Sequence, residues 1–117
     1  MCSSCVMLFN EKNGSILPEY TALPALQTGE ILVKNKYTTL CGSDLHTFTG
    51  RRKEPSPIVL GHEIVGEILE LSQSEPFYDL NGNILKEGDL ITWTIFAATD
   101  SDEFVRDKMP QKSAGLF

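Results

Sequence analysis

Apolar and polar positions follow one another in short runs along this chain, never in a long helical period. Residues 6–9 and 15–20 are two apolar-biased runs separated by Asn13-Gly14. Asn-Gly readily takes the positive φ angles of a tight turn, so the pair predicts an N-terminal hairpin. After Gly29 the residues alternate, with Ile31, Val33 and Tyr37 on one face and Glu30, Lys34 and Lys36 on the other. That is the period of a half-buried strand. Residues 42–48 fit one or two helical turns, started by Ser43 or Asp44 as cap and ended by a left-handed Gly50. Pro55 and Pro57 mark a loop, and Ile58, Val59 and Leu60 lead into Gly61-His62-Glu63. Residues 64–71 predict a strand in which Gly66 marks a bulge or a close backbone approach. Asn81-Gly82 predicts a second hairpin between residues 77–80 and 84–85, and Gly88-Asp89 turns into a strand over residues 90–96. Beyond Ala98 the chain becomes polar and acidic over residues 99–103, with a short helix expected over 104–109 and ended by Pro110.

Many short strands, Gly-rich turns and little helix predict a mainly β architecture, a barrel or a sandwich, with short helices. A length of 117 residues suffices for one domain with a core. A net charge of −6 argues against a nucleic-acid or anionic-membrane surface, because phosphate binding needs clustered cations. Arg51-Arg52-Lys53 is too short a cluster to reverse this. No run is long and apolar enough for a membrane span, and no signal-peptide core follows Met1, so the cytoplasm is the expected compartment. The three cysteines, Cys2, Cys5 and Cys41, are an odd count and do not read as a disulfide framework. Cys2 and Cys5 form a C-x2-C pair able to bind metal or cycle as a dithiol, but no second pair accompanies it.

The chemistry concentrates in Cys41-Gly42-Ser43-Asp44-Leu45-His46 and, 21 residues after Cys41, His62-Glu63. A thiolate, an imidazole and a carboxylate are all zinc ligands, and a set drawn from distant segments suits a catalytic site with one open position. Each residue also has a plain structural reading. Cys41 fits a small core hydrophobe, His62 a turn histidine, Glu63 a surface charge, and Ser43 and Asp44 helix caps. Both histidines of the chain, His46 and His62, nevertheless fall inside this one constellation.

Cys-Gly-Ser-Asp-Leu-His, then Gly-His-Glu-Ile-Val-Gly, then Gly-Asp-Leu-Ile-Thr-Trp resembles the N-terminal, GroES-like domain of zinc-dependent medium-chain alcohol dehydrogenases. Within that family the chain is similar to a branch associated with phosphonate metabolism, through the hairpin at Asn81-Gly82, Thr92-Trp93 and Pro110-Gln111-Lys112. The resemblance implies a GroES-like, partly open β-barrel over residues 29–117, with residues 1–28 as an N-terminal hairpin extension. It implies Cys41 and His62 as catalytic zinc ligands, Glu63 as a direct or alternating ligand, and Asp44 as acceptor of the free ring N–H of His62. Ser43 would bond the substrate oxygen and His46 would pass its proton to solvent, with hydride transferred to NAD or NADP from a small-molecule alcohol or polyol. His46 is also the one residue of this chain with a possible contact to that cofactor. The family's third fixed ligand lies downstream of these motifs. Members with a second, structural zinc hold it by four cysteines, and the matching positions here are Thr99, Asp102, Val105 and Ser113, so that site is expected to be absent. No G-x-G-x-x-G unit is present. The resemblance therefore places the nucleotide-binding domain beyond Phe117 and makes this stretch a fragment, inactive alone and prone to assemble as a homo-oligomer. Two rival readings are a non-catalytic oligomerisation module of the same fold and a zinc-free reductase relative; neither has a use for Cys41, His62 and Glu63.

Overall fold

A computed structural model of the chain describes residues 3–73 and 76–94. The first hairpin forms as its pattern predicts. Strand β1 (Ser3–Asn10) pairs antiparallel with β2 (Ser15–Ala22), from Ser3 opposite Ala22 to Asn10 opposite Ser15. Gly14 has φ 65°, and the Asn13 side chain accepts the Ser15 N–H at 3.1 Å, which closes the turn. Strand β3 (Ile31–Thr39) is followed by helix α1 (Gly42–Phe48), the short β4 (Ile58–Val59), β5 (Glu63–Leu71) and β6 (Leu90–Ile91). The strands form two three-stranded antiparallel sheets, ordered β2-β1-β4 and β3-β5-β6. The mainly β expectation holds, and among the described residues the two sheets stay open.

The first hairpin is anchored against α1, β4 and the loop between them. Leu8 and Phe9 on β1 face Val59 and Ile58 on β4, and the Phe9 and Phe48 rings meet with centroids 5.4 Å apart. Ser56 accepts the Glu11 N–H at 2.9 Å, and Lys53 pairs with the Glu11 carboxylate. Among the described residues only Phe9 and Ile68 are fully buried apolar side chains.

Two expectations about strands need correction. The single apolar face of residues 30–37 does not survive: Tyr37 is 75% exposed. The β3–β5 register shifts between Leu32 and Val33 and again between Asn35 and Tyr37, and each irregularity breaks strict alternation. Of the strand expected over residues 90–96, the described residues form a two-residue ladder strand, Leu90–Ile91. The Thr92 hydroxyl then donates to the Ile64 carbonyl at 2.8 Å, so a side chain takes an acceptor that the ladder leaves. Residues 95–96, and the helix expected over 104–109, lie outside the described residues.

Gly66 is the close approach anticipated in β5. A Cβ there would collide with the Val33 side chain and lie 3.2 Å from the Lys34 carbonyl oxygen and 3.4 Å from the Trp93 ring. The second hairpin also forms, with Tyr78 bridged to Ile84, the Leu85 N–H on the Phe77 carbonyl at 2.8 Å and φ 82° at Gly82. No described helix is long and apolar enough to cross a membrane.

Candidate metal centre

The site begins with how α1 starts. Cys41 is its N-cap, with extended φ −98° and ψ 177°, and the cap expected at Ser43 or Asp44 sits one turn too late. Asp44, in the first turn, supports the start from inside. Its Oδ2 accepts the Cys41 backbone N–H at 2.9 Å, satisfying a donor that the helix leaves free. Thr47, also buried, donates from Oγ1 to the Ser43 carbonyl at 3.1 Å and stiffens the same turn.

The other half of the site depends on Gly61. Its φ is 95°, and a Cβ would stand 3.1 Å from Thr38 Oγ1. Only glycine takes this left-handed turn without strain. The turn aims the Gly61 N–H at Asp44 Oδ1, 3.0 Å away. Asp44 thus joins the start of α1 to the entry of β5, and it is only 6% exposed. Burial by itself would raise its carboxyl, but the N–H groups of Cys41 and Gly61 and the neighbouring His62 outweigh that and hold it below the usual aspartate range.

This clamp brings the expected ligands together. His62 Nε2 lies 3.4 Å from Cys41 Sγ, and its Nδ1 lies 3.5 Å from Asp44 Oδ1. At 3.5 Å the second contact orients the ring electrostatically more than it bonds it. Cys41 Sγ, a His62 ring nitrogen and a Glu63 carboxylate oxygen all lie within 4.8 Å of one another. Zn–S and Zn–N bonds of roughly 2.3 and 2.0 Å at a tetrahedral angle place sulfur and nitrogen about 3.5 Å apart. The 3.4 Å separation therefore matches an edge of such a site. Cys41 and His62 are half-buried and Glu63 is exposed. The donor set fits zinc, and its open side leaves room for further ligands.

Ser43 belongs to the cluster, with Oγ 2.8 Å from Cys41 Sγ. His46 does not. It is exposed on α1, and its imidazole has no hydrogen-bond or ion-pair partner among the described residues. Thr39 was not among the expected site residues, yet its Oγ1 donates to Glu63 Oε2. Cys5 is an exposed free thiol opposite Tyr20, while Cys2 lies outside the described residues. Thr99, Asp102, Val105 and Ser113, at the expected structural-zinc positions, also lie outside them.

Comparison with known proteins finds similar sequences and folds among dehydrogenases. A D-arabitol-phosphate dehydrogenase of Enterococcus avium is 37% identical over 67 residues, which cover 56% of this chain and 19% of that protein. Zinc-type alcohol dehydrogenase B of Aspergillus flavus is 48% identical over 54 residues, 45% of this chain and 13% of that one. Among solved structures, an alcohol dehydrogenase of Thermotoga maritima superposes with a TM-score of 0.85 at 30% identity, covering 99% of this chain and 32% of that one. The Haloferax mediterranei glucose dehydrogenase, in complex with NADP, zinc and gluconolactone, shares the fold with a TM-score of 0.75 at 20% identity, over 97% of this chain and 32% of that one. The matched stretch spans about a fifth or less of these curated relatives. Residues 27–114, a span that holds Cys41, His62 and Glu63, match the model of the alcohol dehydrogenase GroES-like domain, and the chain belongs to that family.

Proposed function

We propose that this chain supplies the zinc-holding, substrate-facing part of an NAD(P)-dependent dehydrogenase acting on small alcohols or polyols. The observation that carries the reading is the convergence of Cys41, His62 and Glu63 within 4.8 Å, from segments that Asp44 clamps together. Residues 29–117 form the unit that bears the site, and residues 1–28 are its N-terminal hairpin. Cys41 and His62 are the primary ligands and Glu63 a direct or alternating one. Bound there, zinc supplies a Lewis acid that acidifies a substrate hydroxyl, and a nicotinamide supplies the hydride acceptor.

The protein's own groups do the remaining work. Asp44 attracts the Nδ1 side of His62 and leaves Nε2 to face the metal position. Ser43, whose Oγ is 2.8 Å from Cys41 Sγ, hydrogen-bonds the substrate hydroxyl and relays its proton by giving up its own. His46, one helical turn on and exposed, hands that proton to water. An oligomerisation module of the same fold would have no need of this donor set.

Metal titration tests the reading. Cobalt(II) added to the chain should give a thiolate-to-metal absorption band that zinc displaces and Cys41→Ser abolishes. A Cys41→Ser chain that binds cobalt with the native spectrum and affinity would remove Cys41 from the ligand set and the reading with it.

A further inference from the structure

We propose that Thr39 is a positioning residue for Glu63, its hydroxyl fixing the carboxylate so that the free lone pairs are offered to the Cys41–His62 pair. The inference rests on the metal-holding reading above. Thr39, the last residue of β3, stands directly opposite Glu63, the first residue of β5, in the antiparallel register. Opposed residues on one face have Cβ atoms roughly 4.5–5.5 Å apart, within reach of a hydroxyl and a folded-back glutamate. The contact is made: Thr39 Oγ1 donates to Glu63 Oε2.

Glu63 needs such a partner. It is exposed, and an exposed glutamate gains little by stopping in one rotamer. Among the described residues it has no cationic partner, and Thr39 is its one side-chain hydrogen-bond donor. A carboxylate has about four lone-pair sites, so one accepted hydrogen bond leaves the rest available. A neutral hydroxyl also suits the task better than Lys or Arg would. It restrains the carboxylate without cancelling the negative charge that draws in a cation. Cys41 and His62 are held by burial and by Asp44, so Glu63 is the member whose placement depends on one contact.

The test is cobalt(II) titration of the full chain, followed by absorption. Thr39→Val removes the hydroxyl at nearly constant shape. It should weaken cobalt affinity about tenfold or more, as loss of a group that orients a ligand does, and shift the d–d bands while the thiolate band remains. Thr39→Ser should restore both. Combined with Glu63→Ala, Thr39→Val should cost nothing further. Thr39→Ala, smaller than the native residue at an exposed position, replaces valine if circular dichroism shows a disturbed strand. Unchanged or tighter binding by the hydroxyl-free variants, or an equal loss in the Glu63→Ala background, overturns the role of Thr39 while leaving the metal site standing. A wild-type chain with no thiolate band sensitive to Cys41→Ser overturns the site and the role together.

Discussion

The Asp44 carboxylate accepts one backbone N–H from the start of α1, at 2.9 Å, and one from the turn before β5, at 3.0 Å. Asp44→Ala leaves both donors without this partner, a loss of about 1–3 kcal/mol where such groups stay dry. The expected outcome is a lower urea midpoint for the metal-free chain with little change in the slope of the transition. An unchanged midpoint would show that water replaces the carboxylate at no cost. At this scale the sequence was informative where residue type alone limits the chemistry. Cys41, His62 and Glu63 were candidates by residue type, and it was the resemblance to a family that put Asp44 beside His62; the structure brings the four groups near one another. Thr39 was not a candidate. A threonine in a strand is ordinary, and its link to Glu63 appears only with the β3–β5 register, which two irregularities had shifted.

The elements that were legible are those whose ends are set by turn chemistry. Asn13-Gly14 and Asn81-Gly82 fixed two hairpins, and α1 covers Gly42–Phe48 as expected, followed by Gly50 at φ 79°. Its cap was displaced to Cys41 because Asp44 acts from the first turn, and sequence spacing alone does not separate the two arrangements. The outward Tyr37 was hidden for a similar reason, since a β-bulge has no fixed residue signature in this strand. The second hairpin carries a pH prediction. Asp79 Oδ1 accepts the N–H groups of Asn81 and Asn83, each at 2.8 Å, and Oδ2 accepts the Asn83 amide at 2.9 Å. The Asn83 side chain first, and the backbone donors with it, lower the Asp79 carboxyl below its ordinary value. A lowered folded value means that the stabilisation is complete above the unfolded aspartate value of about 3.9 and fades as pH falls through the folded one. Carbon-detected NMR titration of Asp79 should give a midpoint below that of a free aspartate. A midpoint at or above it would mean that the loop bonds do not favour the charged form.

For the molecule as a whole, the family and the mainly β class were legible, and the extent of exposed apolar surface was not. Leu17 is 61% exposed, Tyr20 74%, Leu90 65% and Leu80 fully so, while only Phe9 and Ile68 are buried apolar side chains among the described residues. Burial depends on what faces a residue, and the periodicity of one segment does not report that. Exposed apolar side chains and the edges of two open sheets both favour association. Light scattering on the 117-residue chain should therefore show mass rising with concentration above that of one copy. A single-copy mass held across the range would show that the strand edges and exposed side chains are adequately solvated as they stand.

The grip of Asp44 on both Cys41 and Gly61 also fixes an order of events. In small domains whose metal creates the fold, an ion cannot leave without the chain coming apart. Here the two ligand-bearing segments are joined by amide–carboxylate bonds that owe nothing to an ion. Under the proposed reading, loading comes after folding and is separable from it. Under that reading a chelator should strip the ion and leave the circular dichroism of the folded chain unchanged.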